Sequence, residues 1–164
     1  MQKSFYDRLA RPFEEQEEKK RLLIRVNRVI TTAFYIVYPV LLAVLLIRQD
    51  PRVLRVFLVP LVTFVLVTLF RKACNAKRPY EVWDTPPLIA KETRGNSFPS
   101  RHVFSVYIIA MAMAYVCLPL AVVLMAVGVF LAAVRVIARV HFVKDVVAGA
   151  AIAIVLGYIG FWLL

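Results

Sequence analysis

Five apolar stretches, separated by short polar or charged segments, dominate the chain after residue 28. They are Val29–Ile47, Val53–Phe70, Val103–Leu118, Pro119–Ile137 and Val146–Leu164. A helix needs about 20 residues to cross the hydrocarbon core of a bilayer, with a working range of about 17–25. The third stretch is the shortest, but its helix can begin earlier, at Ser100. The pattern therefore predicts an all-α, polytopic membrane bundle of about five transmembrane helices with short connections.

The first 28 residues follow a different pattern, because they hold eight Lys or Arg and five Asp or Glu. Phe5, Leu9 and Phe13 recur every four residues, which predicts an amphipathic helix whose apolar face suits a membrane surface. A charged tail that only sets the topology fits these residues equally well. The chain is thus divided into a charged amphipathic N-terminal segment, 1–28, and a membrane domain, 29–164.

Composition narrows the class of protein further. Hydrophobic residues make up 62% of the chain and its mean hydropathy is +0.75, whereas an ordinary soluble domain is about 45–50% apolar. That excess excludes a soluble fold of this size and also a disordered chain. The net charge of +11 suggests nucleic acid or an anionic membrane as partner. The apolar content favours the membrane, and we expect no nucleic-acid partner.

Three polar clusters remain outside the apolar stretches. They are Arg71–Pro79 after the second stretch, Pro99–His102 before the third, and Arg135–Asp145 between the fourth and fifth. Both histidines of the chain lie in these clusters. Because five helices cross the membrane alternately, all three clusters are predicted on one side, where they can converge.

Several of these residues can bind a phosphate group. Arg71, Arg78 and Arg135 carry planar sets of N–H donors that match phosphate oxygens. Ser100 is a suitable N-cap for the third helix, so that the backbone N–H groups after it can face an anion. The clusters therefore predict a cradle for a phosphate.

The remaining members supply a nucleophile and an acid. His141 and Asp145 are four residues apart, so a helix through them would place both on one face. The carboxylate can then hold one ring nitrogen and leave the other free to attack. His102, from another helix, can protonate a leaving group. These are the parts that phosphoryl transfer requires.

The joint spacing resembles the three motifs of the type 2 phosphatidic acid phosphatase superfamily, which also includes the vanadium haloperoxidases. These motifs read K-x6-R-P, P-S-G-H and S-R-x5-H-x3-D. The matching segments are Arg71-x6-Arg78-Pro79, Pro99-Ser100-Arg101-His102 and Arg135-x5-His141-x3-Asp145. The chain departs at three positions, because Arg71 replaces lysine, Arg101 replaces glycine and Val134 replaces serine.

The resemblance implies a role for each matching residue. His141 would attack phosphorus and form a phosphohistidine, Asp145 would orient it, and His102 would protonate the leaving oxygen and then activate water. Arg71, Arg78, Ser100, Arg101 and Arg135 would hold the phosphate oxygens. The resemblance also implies a phosphatase domain over 29–164 that uses no metal ion or other cofactor.

A site at the membrane surface predicts a substrate with a lipid tail among the surrounding membrane lipids. Phosphatidate, phosphatidylglycerol phosphate and polyprenyl phosphates or diphosphates all fit. The alternative is a small multihelix transporter or anion-binding protein without hydrolysis. A transporter would carry ionisable residues within its spans, whereas here most charges lie at span ends and even Arg55 is close to one.

The charge distribution predicts the orientation of the chain, which we expect to lie in the cell membrane. Eighteen Lys or Arg fall on the side of the three clusters and three on the other, and an excess in short loops marks the cytoplasmic face. We therefore expect the active site to face the cytoplasm. Arg139 and Lys144 are interpreted as snorkelling residues at the interface, and Trp83 as part of an interfacial aromatic belt.

Overall fold

The computed structural model describes residues 2–90 and 93–164, without the side chain of Gln2. Its described residues form α1 (Gln2–Glu14), α2 (Glu17–Ile47), α3 (Val53–Cys74), α4 (Pro79–Val82), α5 (Arg101–Val116), α6 (Leu118–Ile137) and α7 (Val143–Tyr158). A π-helical turn over Ile159–Leu163 continues α7. The five predicted stretches correspond to α2, α3, α5, α6 and α7, so the predicted helical membrane bundle is confirmed.

Four helical segments of the described chain are long and apolar enough to cross a membrane, and α5 is shorter, at 16 residues. Helix α2 begins at Glu17, well before the predicted start at Val29, and passes residue 28 without a break. Helix α7 likewise begins at Val143 rather than Val146. The predicted starts came too late because they were taken from the apolar stretches alone. A helix needs apolar residues only where it contacts lipid, so polar residues can extend it beyond the membrane.

Helix α5 lies at the centre of the bundle. Nine of its sixteen residues are buried, and it packs most extensively against α6 and α7. Small residues allow this close packing between backbones. At Gly149 of α7, a Cβ atom would lie 2.7 Å from the carbonyl oxygen of Ser100, so only glycine lets α7 approach the start of α5 this closely.

The outer faces of the bundle are apolar. Large side chains such as Tyr35, Ile47 and Phe130 are 67–82% exposed, which fits contact with lipid. At the end of the bundle opposite the three clusters, Arg52 pairs with Asp50 and also donates to the carbonyl of Tyr115. Arg55 donates to the carbonyl of Phe161, so both arginines lie at the end of the bundle, as the sequence predicted.

Helix α1 packs against the protein at the end that carries the clusters. Tyr6 and Ala10 are buried, and Leu9 and Phe13 pack against the hydrophobic core. The amphipathic helix predicted for this segment is therefore confirmed, whereas its contact with the membrane surface and its role in setting the topology stay predictions. The apolar face of α1 is occupied by the rest of the chain, although Phe5 stays 43% exposed.

Candidate active site

The three polar clusters converge at one end of the bundle. A cavity of about 190 Å³ is lined by Arg71 and Arg78 of the first cluster, Arg101 and His102 of the second and His141 of the third. Arg71 lies in the last turn of α3, Arg101 and His102 begin α5, and the connection between α6 and α7 carries His141. The alternate crossing of the helices brings these distant segments together.

The third cluster places His141 beside Asp145. His141 lies in the connection before α7 rather than on a helix, and its Nδ1 is 3.6 Å from Oδ2 of Asp145. The same carboxylate oxygen accepts hydrogen bonds from the backbone N–H of Phe142 at 3.0 Å and from the hydroxyl of Ser97 at 2.5 Å. Asp145 is fully buried. It therefore fixes the start of α7 and the imidazole together.

Burial sets the protonation state of His141. The ring is 1% exposed, and this desolvation lowers its pKa from 6.5 to about 4, although the carboxylate of Asp145 opposes the shift. The imidazole is therefore neutral at pH 7. Its Nε2 lies 3.4 Å from a guanidinium nitrogen of Arg78, and both residues line the cavity.

Two of the predicted phosphate ligands also hold the backbone around the cavity. Arg71 donates to the carbonyls of Asn96 and Pro99. Arg78 donates to the carbonyls of Gly95 at 3.0 Å and Val140 at 3.1 Å. These arginines thus tie the segment before α5 to the connection that carries His141.

Arg135 and Ser100 are buried next to this network, and each has a side-chain hydrogen-bond donor without a partner among the described residues. Arg135 is 3% exposed and its Nε has no hydrogen-bond partner among the described residues. Ser100 is fully buried at the N-cap of α5, but its hydroxyl makes no capping bond and is likewise unpaired within the described chain. Its backbone N–H donates instead to the carbonyl of Asp145 at 2.8 Å. The described part of the structure therefore leaves two unpaired donors beside the network, in residues that do not themselves line the 190 Å³ cavity.

His102 and Arg101 line the same cavity from the first turn of α5. The side chain of His102 is half-buried, and that of Arg101 is exposed with its guanidinium 5.9 Å from the ring centre of Phe64. The replacement of glycine by arginine therefore adds an exposed cation to the wall of the cavity that His141 also lines.

Two residues of the site were missed by the sequence analysis. Ser97 binds Asp145, and Glu81 accepts hydrogen bonds from the backbone N–H groups of Arg78 and Gly95. Gly95 has a φ of +66°, a conformation that favours glycine. The sequence signal was weak because a serine and a glutamate in a polar loop are ordinary surface residues.

The interpretation of one single residue is wrong. Arg139 is not a snorkelling residue, because it is 2% exposed and forms ion pairs with Asp7 and Glu14 of α1. Trp83 packs against the rings of Tyr6 and Phe142, and its place in an interfacial belt stays a prediction. The ion pairs of Arg139 and the contact of Trp83 with Tyr6 are both made with α1.

The fold and the site define a multi-pass membrane protein with a buried His–Asp pair in an arginine-rich cavity. The family model described as the PAP2 superfamily matches residues 52–164. The chain therefore belongs to the PAP2 superfamily, as its motifs suggested. No match is found among curated protein sequences.

Solved structures show the same fold. Aquifex aeolicus LpxE superimposes with a TM-score of 0.74 at 23% identity, over 96% of this chain and 92% of that one. A PAP2 type phosphatidylglycerolphosphate phosphatase from Bacillus subtilis superimposes with a TM-score of 0.71 at 19% identity, over 96% of this chain and 83% of that one. The bundle is thus a PAP2-type membrane fold along nearly its whole length.

Proposed function

We propose that this protein is a membrane lipid phosphatase that hydrolyses a phosphate monoester or diphosphate through a phosphohistidine. The observation that carries the proposal is the convergence of the three clusters on one cavity, with His141 held between Asp145 and Arg78. Family membership and the phosphatidylglycerolphosphate phosphatase among the similar structures support it.

In the first step the neutral His141 attacks phosphorus with Nε2. An N–P bond forms while the bond between phosphorus and the leaving oxygen breaks, and His102 gives that oxygen a proton. Asp145 stabilises the positive charge that develops on the imidazole. Arg78, Arg135 and Ser100 donate to the phosphoryl oxygens, where negative charge concentrates in the transition state.

In the second step water hydrolyses the phosphohistidine. His102, now neutral, removes a proton from water as its oxygen attacks phosphorus, and the N–P bond breaks to restore His141. Inorganic phosphate then leaves the site. The protons balance, because the proton that His102 gave to the leaving group is replaced by the one that it takes from water.

Arginine charge takes the place of a metal ion in this proposal. The charges of Arg78 and Arg101 are close enough to Arg71 to act on it, so the cavity concentrates positive charge. Within the described residues, His, Cys, Asp and Glu form no group of three that could hold a metal. We therefore propose hydrolysis that needs no metal ion.

An apolar groove supports a substrate with a lipid tail. It consists of two adjoining cavities of about 190 and 290 Å³, which share Phe34, Tyr35 and Phe64 between α2, α3 and α5. His102 and Arg101 line the end of this groove as well as the catalytic cavity. An acyl or prenyl chain in the groove would place its phosphate beside His141, as in phosphatidate, phosphatidylglycerol phosphate or a polyprenyl (di)phosphate.

We further propose that the site faces the cytoplasm of the cell membrane. The contact of α1 with Arg139 supports a shared side for the N-terminal segment and the site. That side carries 18 Lys or Arg against three on the other, and transfer of so basic a segment across the membrane is unfavourable.

Phosphate release by the purified protein in detergent tests the proposal. A panel of lipid phosphates and diphosphates should be hydrolysed in EDTA, and vanadate should inhibit by mimicking the five-coordinate transition state. His141→Ala should abolish turnover, whereas Lys144→Ala, an exposed cation three residues away, should not. Loss of activity in EDTA with rescue by magnesium would contradict the proposed mechanism, and equal activity of the two variants would contradict the role of His141.

A further inference from the structure

Helix α1 contacts the short connection that carries His141, which we name the nucleophile loop (residues 138–142). Arg139, two residues before His141, donates through one guanidinium nitrogen to Asp7 at 3.0 Å and to Glu14 at 3.1 Å, and through the other to Glu14. The two acids are seven residues apart, so both lie on the same face of α1. This ion-pair cluster thus fixes one side of the loop.

A second contact lies just after His141. The hydroxyl of Tyr6 accepts a hydrogen bond from the backbone N–H of Val143 at 2.9 Å. The Tyr6 ring packs edge-on against the ring of Phe142, with centroids 5.9 Å apart. It also packs at a tilt against the ring of Trp83, with centroids 5.0 Å apart. Helix α1 therefore contacts the chain on both sides of His141, at Arg139 before it and at Phe142 and Val143 after it.

The loop needs such support because its backbone is not regular helix. Arg139 has a φ of +57°, which is unfavourable for a residue with a side chain. Three consecutive backbone N–H groups of the loop bond back to carbonyls of α6. The N–H of Arg139 donates to the carbonyl of Val136, and those of Val140 and His141 donate to the carbonyl of Arg135. A buried arginine is also costly unless it is paired, so the two acids of α1 make this conformation tenable.

We propose that Arg139 is a positioning residue, which acts through Asp7 and Glu14 of α1 to hold the nucleophile loop and thereby aim His141 at phosphorus. The inference rests on the proposed function, in which His141 is the nucleophile. Arg139 itself does not touch the substrate. A displacement of about 1 Å at a reacting group can cost about 100-fold in rate, so the contact with α1 controls turnover without contributing to the chemistry.

The test removes the negative charges and keeps the shapes of the side chains. The double variant Asp7→Asn/Glu14→Gln is compared with Glu15→Gln/Glu18→Gln, which loses the same charge from two exposed acids without side-chain partners in the described chain. The full-length protein in detergent is measured for kcat, for KM and for hydrogen exchange of residues 138–142. We expect kcat to fall about 10–100-fold with KM within about twofold, and exchange to rise in the nucleophile loop. The control should match the wild type in all three.

Equal kcat values for the double variant and the control would overturn the proposal, and so would a raised KM with unchanged kcat. If the double variant fails to fold, Arg139→Lys gives the same comparison, because it keeps the charge but cannot reach both acids in the same way. A wild-type protein that releases no phosphate would instead refute the proposed function. Hydrogen exchange would then still report whether α1 holds the loop.

Discussion

Two buried serines three residues apart should respond oppositely when each is replaced by alanine. Ser97 and Ser100 are both fully buried. The hydroxyl of Ser97 donates to Asp145 at 2.5 Å, whereas that of Ser100 has no partner among the described residues. A hydrogen bond to a charged group contributes about 1.5–3 kcal/mol, while an unsatisfied buried hydroxyl costs about 1–3 kcal/mol. Ser97→Ala should therefore destabilise the fold and Ser100→Ala should not.

The effects on catalysis follow from the same contacts. Ser100→Ala removes a donor to the phosphoryl group, so kcat/KM should fall about 10–100-fold with no loss of stability. Ser97→Ala should lower the melting temperature by several degrees and reduce kcat, because Asp145 loses the partner that orients it toward His141. The assay is thermal unfolding in detergent together with phosphate release.

The outcome that would refute this reasoning is specific. A Ser100→Ala variant that is less stable than Ser97→Ala would mean that the unpaired hydroxyl is a structural group rather than a substrate ligand. Full activity of Ser100→Ala would remove it from the phosphate cradle.

Three further predictions follow from the site and its orientation. Burial lowers the pKa of His141 to about 4. Between pH 6.5 and 4 the unfolded chain therefore binds a proton that the folded chain does not. The free energy of unfolding should consequently fall by about 3 kcal/mol as the pH drops through that range. His141→Gln should remove this loss, and unchanged pH dependence of its melting temperature would contradict the assignment. Arg101→Gly should raise KM for diphosphate substrates more than it lowers kcat, whereas kinetics unchanged across the substrate panel would place Arg101 outside the headgroup contact. A single cysteine at Thr93, in a variant lacking both native cysteines, should resist an impermeant thiol reagent until cells are opened, and labelling in intact cells would put the site outside.

The sequence predicted most of the fold because membrane helices are encoded locally. An apolar stretch bounded by charge sets both the place and the length of a span, so the elements that became α2, α3, α5, α6 and α7 could be identified in advance. The alternate crossings then fixed which clusters share a side. This is why the motif residues, from Arg71 to Asp145, could be predicted to meet before any distance was known.

The contacts that complete the site could not be predicted in this way. Arg139 has the spacing of an interfacial cation, and only the docking of α1 shows that Asp7 and Glu14 neutralise it. Ser97 lies outside the motifs, and its bond to Asp145 depends on how the loop before α5 folds. Such contacts join residues that are distant in sequence, so neither hydrophobic period nor local spacing reveals them.

The phosphorylated intermediate tests the central claim most directly. Wild-type protein mixed with a labelled substrate and quenched within one turnover should carry an acid-labile, base-stable phosphate, and peptide mapping should place it on His141. His141→Ala should carry none. Phosphate found on His102, or turnover retained by His141→Ala, would contradict the account.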